Sequence, residues 1–180
     1  NWQSGGAVQS SGLTDVSNCT FVGTQTPPSQ LNGAVLNLGD GSVVESCLFV
    51  DNSEVFDLIK GPDGTEVTYS VSDDDLPGDP VSDGNNNQEN VSLAAIALDI
   101  LADNGGPTDT HALGLGSVAI DAGLNPASLT TDQRGPGFDR TVGLATDVGA
   151  FEYVPEPATL GFLALGGLMG LTAMRRRRSR

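Results

Sequence analysis

Acidic side chains are the residues of this sequence with the clearest potential for metal chemistry. Five aspartates close together could offer the hard oxygen ligands that Ca²⁺ prefers: Asp73, Asp74, Asp75, Asp79 and Asp83. Their spacing matches neither an EF-hand loop nor the glycine-rich nonapeptide that binds Ca²⁺. Because residues 60–92 are rich in Asp, Asn, Gly and Pro, we interpret this segment as a solvated acidic loop. A Ca²⁺ site is the alternative, and no other cofactor is expected.

The sequence supplies few bases or nucleophiles. His111 is its single histidine, and a general base also needs an orienting partner and a nucleophile. A hydrogen-bonded structural histidine is therefore the favoured interpretation. The two cysteines, Cys19 and Cys47, could form a disulfide in an exported protein. Since inward-facing cysteines also serve as small apolar fillers, we favour two buried thiols. We assign no catalytic residue.

Charge is distributed very unevenly along the chain. Residues 1–157 contain all 23 acidic residues but only three basic ones, Lys60, Arg134 and Arg140, whereas five arginines follow without an acid. Phosphate binding needs lysine and arginine to displace counterions, so this body is not expected to bind nucleic acid. The chain opens at Asn1 with neither a methionine nor an apolar leader. We therefore expect it to be the C-terminal part of a longer protein.

The last part of the chain has the pattern of a membrane anchor. An apolar run at residues 158–174 carries no charge and is followed directly by Arg175, Arg176, Arg177 and Arg178. As a helix this run would span about 25 Å, slightly less than a hydrocarbon core of about 30 Å. Arginine stems can snorkel to make up the difference. The positive-inside rule then places the tail in the cytoplasm and the body outside. A buried core helix is the alternative.

Val154, Pro155, Glu156 and Pro157 precede the apolar run. Each proline fixes φ and biases the preceding residue toward extended backbone, the form in which proteases bind substrates. The order of a Val-Pro-Glu-Pro motif, a glycine-rich apolar helix and an arginine cluster resembles the PEP-CTERM sorting signal of Gram-negative bacteria. The resemblance implies export, recognition by a membrane-embedded exosortase, and cleavage near 155–157. It also implies release or re-anchoring at the cell surface.

The body is organised by an internal repeat. Gly-Ala-Val at positions 6–8 recurs at positions 33–35, and the Cys-x-Phe-Val motif that begins at Cys19 recurs at Cys47. A period in the range of roughly 20–50 residues is typical of solenoids, in which stacked units bury apolar faces that one unit cannot bury alone. The pattern predicts a mainly β fold, a right-handed parallel β-helix with Cys19 over Cys47 and Phe21 over Phe49. A β-sandwich is the main competitor.

The segment before residue 104 predicts a short helix packed on the solenoid. Ser92 is a suitable N-cap, residues 104–107 are a stop signal, and five residues fall at helical spacing: Leu93, Ile96, Ala97, Ile100 and Leu101.

Residues 103–153 resemble the choice-of-anchor Q domain, which ends extracellular parallel β-helix proteins. The resemblance rests on five motifs: DNGGPT at 103–108, THAL at 110–113, IDAG at 120–123, TDQRG at 131–135 and DVGAFE at 147–152. It implies a structural block placed ahead of a C-terminal anchor and supplies no catalytic residue.

The chemistry of this block also indicates a structural role. Its glycines at 105, 106, 123, 135 and 149 suit tight or positive-φ turns. Asp121, Asp132 and Asp147 can cap backbone amides, and Arg134 or Arg140 could pair with a carboxylate. The predicted organisation is therefore β-helix coils at 1–59, an acidic loop region at 60–92, a terminal cap at 93–153 and the sorting segment at 154–180.

Two functions remain open. The favoured one is a non-enzymatic cell-surface or extracellular-matrix protein, held in the inner membrane as a sorting intermediate, with exopolysaccharide as a candidate partner. The alternative is a polysaccharide lyase or glycoside hydrolase whose groove lies largely in upstream coils. A lyase needs a basic side chain, of which the body has only three. A glycosidase needs two carboxylates at a set separation, which a sequence does not reveal.

Overall fold

The computed structural model describes residues 5–24, 34–52, 57–60, 65–76 and 85–155. Within these residues the chain is mainly β, with one short helix and eleven strands. The elements are β1 (Gly5–Gln9), β2 (Asp15–Ser17), β3 (Thr20–Val22), β4 (Ala34–Asn37), β5 (Val43–Glu45), β6 (Leu48–Val50), β7 (Asp57–Lys60), β8 (Glu66–Thr68), β9 (Val71–Ser72), α1 (Leu93–Ile96), β10 (Leu98–Ala102) and β11 (Thr110–Leu113).

Nine of these strands form three parallel sheets, with strand orders β1-β4-β7, β2-β5-β8 and β3-β6-β9. Each set of three consecutive strands contributes one strand to every sheet, and we call such a set a layer. In the second sheet, Val16 of the first layer pairs with Val44 of the second. Val44 pairs in turn with Val67 of the third layer. This arrangement is consistent with the predicted β-helix.

The repeated motif places like residues on top of one another. Phe21 pairs with Phe49 in adjacent parallel strands, and their rings stack with centroids 5.2 Å apart. The preceding cysteines lie in the same register, and the amide of Leu48 donates to the carbonyl of Cys19 at 2.9 Å. The predicted stacking of Phe21 on Phe49 and of Cys19 on Cys47 is therefore confirmed.

One residue in each layer turns the chain from the second sheet to the third. Asn18, Ser46 and Tyr69 occupy this corner with φ values of 52°, 55° and 50°. Asparagine tolerates the left-handed region, but a tyrosine rarely adopts it. The conformation is thus imposed by the stacking of the layers rather than by local preference.

Two apolar cores share the third sheet. Side chains alternate along a strand, so Phe49 of β6 faces the space enclosed by the three sheets while Leu48 and Val50 face outward. The enclosed core includes Val16, Val35, Leu36, Leu38, Val44, Cys47, Phe49, Leu58, Ile59, Val67 and Leu76. The outer core combines Leu48, Val50 and Val71 with Ile96, Leu113, Ala119, Val148 and Phe151 of the C-terminal part. Residues 93–153 therefore pack on the lateral face of the β3-β6-β9 sheet.

Strands of the same three sheets continue to Ser72, whereas the sequence placed the last coil at residue 59. The third layer follows the second after a shorter stretch of chain and lacks the Cys-x-Phe-Val motif, so its repeat is hard to recognise. Beyond it, Gln88 forms a parallel bridge with Val71. Leu76, only 3% exposed, packs into the enclosed core. Its amide donates to Glu89 at 3.2 Å, so this segment covers the end of the stack.

The predicted helix is a single turn. Ser92 caps it as expected, accepting from the amide of Ala95 at 3.3 Å. Ala97 then adopts a left-handed conformation, and the following residues form β10, which pairs antiparallel with β11. The prediction is wrong beyond Ile96, and Ile100 is 84% exposed. Pairing with β11 supplies the backbone hydrogen bonds that a longer helix would have supplied internally.

Candidate functional site

The folded body holds the chain up to Tyr153 and leaves the next residues exposed. The amide of Tyr153 donates to Oδ2 of Asp147 at 2.6 Å. Val154 is 48% exposed, and Pro155 is also exposed. Glu156 and Pro157 of the predicted processing motif lie outside the described residues. The exit of the chain from the body therefore coincides with the start of that motif.

Asp147 is fully buried and fixes two separate segments. Its Oδ1 accepts from the amide of Asp121 at 2.8 Å, while its Oδ2 holds Tyr153. Burial raises the pKa of Asp147, an effect that these hydrogen bonds and the charge of Arg140 partly oppose.

Glu152 is also fully buried. Its Oε1 accepts from the amide of Val142 at 2.7 Å, and its Oε2 accepts from the amide of Asp147 at 3.1 Å. Burial raises the pKa of Glu152 to about 7, and the charge of Asp147 adds to that increase. The two hydrogen bonds and Arg140, whose Nη1 lies 3.8 Å from Oε2, act in the opposite direction.

Arg140 occupies the centre of this cluster and is only 1% exposed. Its Nη2 donates to the carbonyl oxygens of Asp147 and Gly149, each at 2.8 Å. Its Nε and Nη1 have no hydrogen-bond partner among the described residues. Burial lowers the pKa of this guanidinium, while the nearby carboxylates, that of Glu152 first, oppose the decrease.

A second buried pair holds the main chain at residue 152. Arg134 donates from Nη2 to Oδ2 of Asp132 at 2.6 Å and to the carbonyl of Glu152 at 2.6 Å. The amide of Glu152 donates in turn to Oδ2 of Asp132 at 2.9 Å. The guanidinium lies between the rings of Phe138 and Phe151, 4.0 and 3.8 Å from their centroids. The backbone N–H and the backbone carbonyl of Glu152 are thus both bound by the ion pair of Asp132 and Arg134.

The structural roles predicted for the aspartates and arginines are confirmed. Asp121, Asp132 and Asp147 each accept backbone amides, the first from Leu144 and Ala145. Glu152 was missed as an organising residue. The only available signal was its position at the end of the DVGAFE motif, because its partners Val142 and Asp147 lie in other turns of the block.

Glycines of this block have two different uses. Gly105, Gly135 and Gly149 have positive φ, as the sequence predicted. Gly106 is required by close approach, since an added Cβ would lie 2.7 Å from Cα of Arg134.

The site is tied directly to the first two layers. The amide of Gly149 donates to the carbonyl of Ser46 at 2.9 Å, and the hydroxyl of Ser46 accepts from the amide of Leu124 at 2.7 Å. The amide of Ala150 donates to Oγ1 of Thr20 at 2.9 Å. These contacts therefore attach the segment that precedes the exit to the stacked sheets.

Replacing Gly149 by alanine is expected to lower the free energy of unfolding by about 2 kcal/mol. Gly149 has φ +99°, and its added Cβ would lie 2.5 Å from Oγ1 of Thr20 and 3.2 Å from Cβ of Leu48. Urea denaturation measures the change. Gly12→Ala is the matched control, because a Cβ there meets nothing within 4 Å. Equal stabilities of the two variants would contradict this account.

The other candidate residues are bound within the fold where the structure describes them. Nδ1 of His111 lies 2.8 Å from the carbonyl oxygen of Asp99, which agrees with a structural histidine. Asp73 accepts from the amide of Asp51 at 3.0 Å, and Asp75 accepts from the side chain of Asn90 at 2.8 Å.

The described residues contain no group of three His, Cys, Asp or Glu side chains placed to hold a metal ion. Asp79 and Asp83 lie outside these residues, so a Ca²⁺ site involving them stays a prediction.

A shallow groove of about 200 Å³ lies on the outer face of the second sheet. Asp15, Ser17 and Glu45 line it together with Pro126 and Ala127 of a loop in the C-terminal block. Asp15 pairs with Val43, so Glu45 is its diagonal neighbour on the adjacent strand. Both carboxylates therefore lie on the same wall of the groove, whereas a glycoside hydrolase needs its two carboxyl groups on opposite sides of the scissile bond.

Comparison with known families matches residues 154–178 to the PEP-CTERM protein-sorting motif. This motif supports a C-terminally sorted, exported protein and membrane-associated sorting. No curated protein and no solved structure matched the chain. In the part of the chain that the structure describes, no helix is long and apolar enough to cross a membrane. The predicted membrane helix at 158–174 and the arginines at 175–178 lie outside that part.

Proposed function

We propose that an exosortase in the inner membrane recognises the C-terminal segment and cuts the chain near residues 155–157. The acidic body is then displayed at the cell surface or released into the extracellular matrix. There it serves a non-catalytic structural, adhesive or exopolysaccharide-associated role. The single observation that carries this proposal is the motif match at residues 154–178.

The geometry of the exit supports the proposal. A protease needs an extended segment that it can enclose on all sides, and it cannot enclose residues packed in a core. Tyr153 is fixed through Asp147, whereas Val154 and Pro155 are exposed. Cleavage a few residues later would leave every contact of Asp147, Glu152 and Arg140 in place, so processing would not disturb the body.

The body suits a surface role through its charge. Nearly all of its ionisable groups are acidic, which disfavours direct binding of anionic polymers and favours neutral glycans or glycans bridged by cations. We further propose that residues 103–153 are a choice-of-anchor Q domain completing a right-handed parallel β-helix. Their packing on the third sheet and their contacts with Ser46 and Thr20 support that proposal.

An epitope placed after Arg180 tests the sorting step. In cells that contain the exosortase, we expect the epitope to be lost from the mature body, and in cells without the enzyme to remain attached. The double substitution Pro155→Ala and Pro157→Ala should keep the epitope attached even when the enzyme is present, because the extended backbone is no longer enforced. Immunoblots of the body and the epitope measure the outcome.

Pro126→Ala is the matched control, since this proline is exposed in a loop of the body. It should be processed like the unaltered chain. Equal retention of the epitope with and without the exosortase would overturn the proposed function.

A further inference from the structure

We propose that Cys19 and Cys47 form an exchange-active dithiol: Cys19 attacks a disulfide, and Cys47 resolves the product into a bond joining the first two layers.

The two cysteines are register neighbours in adjacent parallel strands. Thr20 pairs with Leu48, and the amide of Leu48 donates to the carbonyl of Cys19 at 2.9 Å. Neighbouring strands lie about 4.8 Å apart, within the Cα separation of about 4.4–6.8 Å that a disulfide spans. Cys47 belongs to the enclosed core and Cys19 packs against it, and both are free thiols.

Exposure distinguishes the two thiols. Cys47 is fully buried, and its Sγ lies 3.5 Å from the carbonyl oxygen of Glu45. Cys19 is only partly buried. An external disulfide can therefore reach Cys19 before it can reach Cys47.

Electrostatics favours Cys19 as the nucleophile. A hydrogen bond from Cys47 lowers the pKa of Cys19 to about 7, with a further contribution from the charge of Arg140, while burial opposes both. Burial, with the neighbouring Cys19, raises the pKa of Cys47 well above its usual value. The guanidinium of Arg140 has Nε and Nη1 without hydrogen-bond partners among the described residues. A thiolate at Cys19 would partly neutralise that buried cation.

The reaction balances as two thiol–disulfide exchanges. The Cys19 thiolate attacks one sulfur of an external disulfide, forming a mixed disulfide and expelling the other sulfur as a thiolate. Cys47 then attacks the Cys19 sulfur and expels the second external thiolate, which takes up the proton of Cys47 as it leaves. The two cysteines lose two electrons and two protons in total, and the external disulfide is reduced to two thiols. In the cell its oxidant would be a disulfide of the exported compartment, a point that rests on the proposed function.

Glutathione disulfide added to the reduced, purified full chain in mild detergent tests the exchange. We expect whole-protein mass spectrometry to show the loss of two hydrogens. Because the sequence contains only two cysteines, this change in a monomer identifies the bond. Cys47→Ala should stop at one bound glutathione, and Cys19→Ala should react far more slowly. An unchanged mass in the folded chain, with a urea-unfolded sample oxidised in parallel, would overturn the proposal. So would equal reaction of the two single variants.

Alkylation of Cys19 by iodoacetamide tests the role of Cys47 separately. Cys47→Ser keeps a hydroxyl donor and should keep the inflection of rate against pH near 7. Cys47→Ala lacks a donor and should move the inflection toward the ordinary thiol value of about 8.5. Identical profiles in the two variants, each shown to unfold cooperatively, would contradict the proposed hydrogen bond. Neither experiment depends on sorting, so their failure would leave the proposed function intact.

Discussion

Asp132→Ala is expected to lower the free energy of unfolding by about 3–5 kcal/mol, because it leaves a buried guanidinium without its carboxylate. Asp132 is 6% exposed and Arg134 is 7% exposed. The carboxylate accepts from Nε and Nη2 of Arg134 at 2.9 and 2.6 Å and from the amide of Glu152 at 2.9 Å. The substitution removes all of these acceptors together, while Phe138 and Phe151 continue to hold the cation.

Chemical denaturation of the full chain measures this loss, with Asp109→Ala as the control at an exposed aspartate. Asp132→Asn separates charge from shape, since the amide keeps one oxygen acceptor but cannot neutralise Arg134. We expect its free energy of unfolding to fall between those of the unaltered chain and Asp132→Ala. If Asp132→Ala and Asp109→Ala were within about 0.5 kcal/mol of each other, the ion pair would not stabilise the exit.

Stacked layers were predictable where the repeat preserved chemically distinctive residues. Phe21 and Phe49 recur within matching motifs, so the sequence alone indicated their pairing. The sequence of the third layer does not reveal the repeat, because Ser70, Val71 and Ser72 stand where the first three positions of the Cys-x-Phe-Val motif would fall. The residues that turn the chain from the second sheet to the third were also only partly predictable from their types. Asn18 is a residue that tolerates positive φ, but Tyr69 adopts it only because two other layers fix the chain before and after it.

Local patterns failed where distant segments decided the conformation. The spacing of Leu93, Ile96 and Ile100 is helical, yet β11 captures the chain after Ala97. The candidate site has both kinds of residue. The pairing of Asp132 with Arg134 connects near neighbours in the sequence and could be anticipated. The contact of Gly149 with Ser46 joins opposite halves of the body, and no sequence pattern indicated it.

Stability is expected to fall as the pH rises from about 5 to about 7.5, and Glu152 is the largest identified cause. Its folded-state pKa is about 7, against 4.5 for the ordinary carboxyl group. Between these values the folded chain holds a proton that the unfolded chain has lost, so raising the pH favours unfolding. The stabilisation that Glu152 contributes is fully present below pH 4.5 and is lost as the pH rises through its folded-state pKa of about 7. It amounts to at most about 3 kcal/mol.

Glu152→Gln isolates this contribution, because glutamine keeps the size of the side chain but does not titrate. The variant should be less stable than the unaltered chain at low pH. The backbone amide of Asp147 donates to Oε2 of Glu152, and in the variant it would face the side-chain NH₂ group of the glutamine, which is also a donor. Its free energy of unfolding should nevertheless change less between about pH 5 and about pH 7.5. Asp147, whose pKa is also raised by burial, keeps the remaining slope in the same direction. Parallel profiles for the two proteins would show that Glu152 does not bind its proton differently in the folded and unfolded chains.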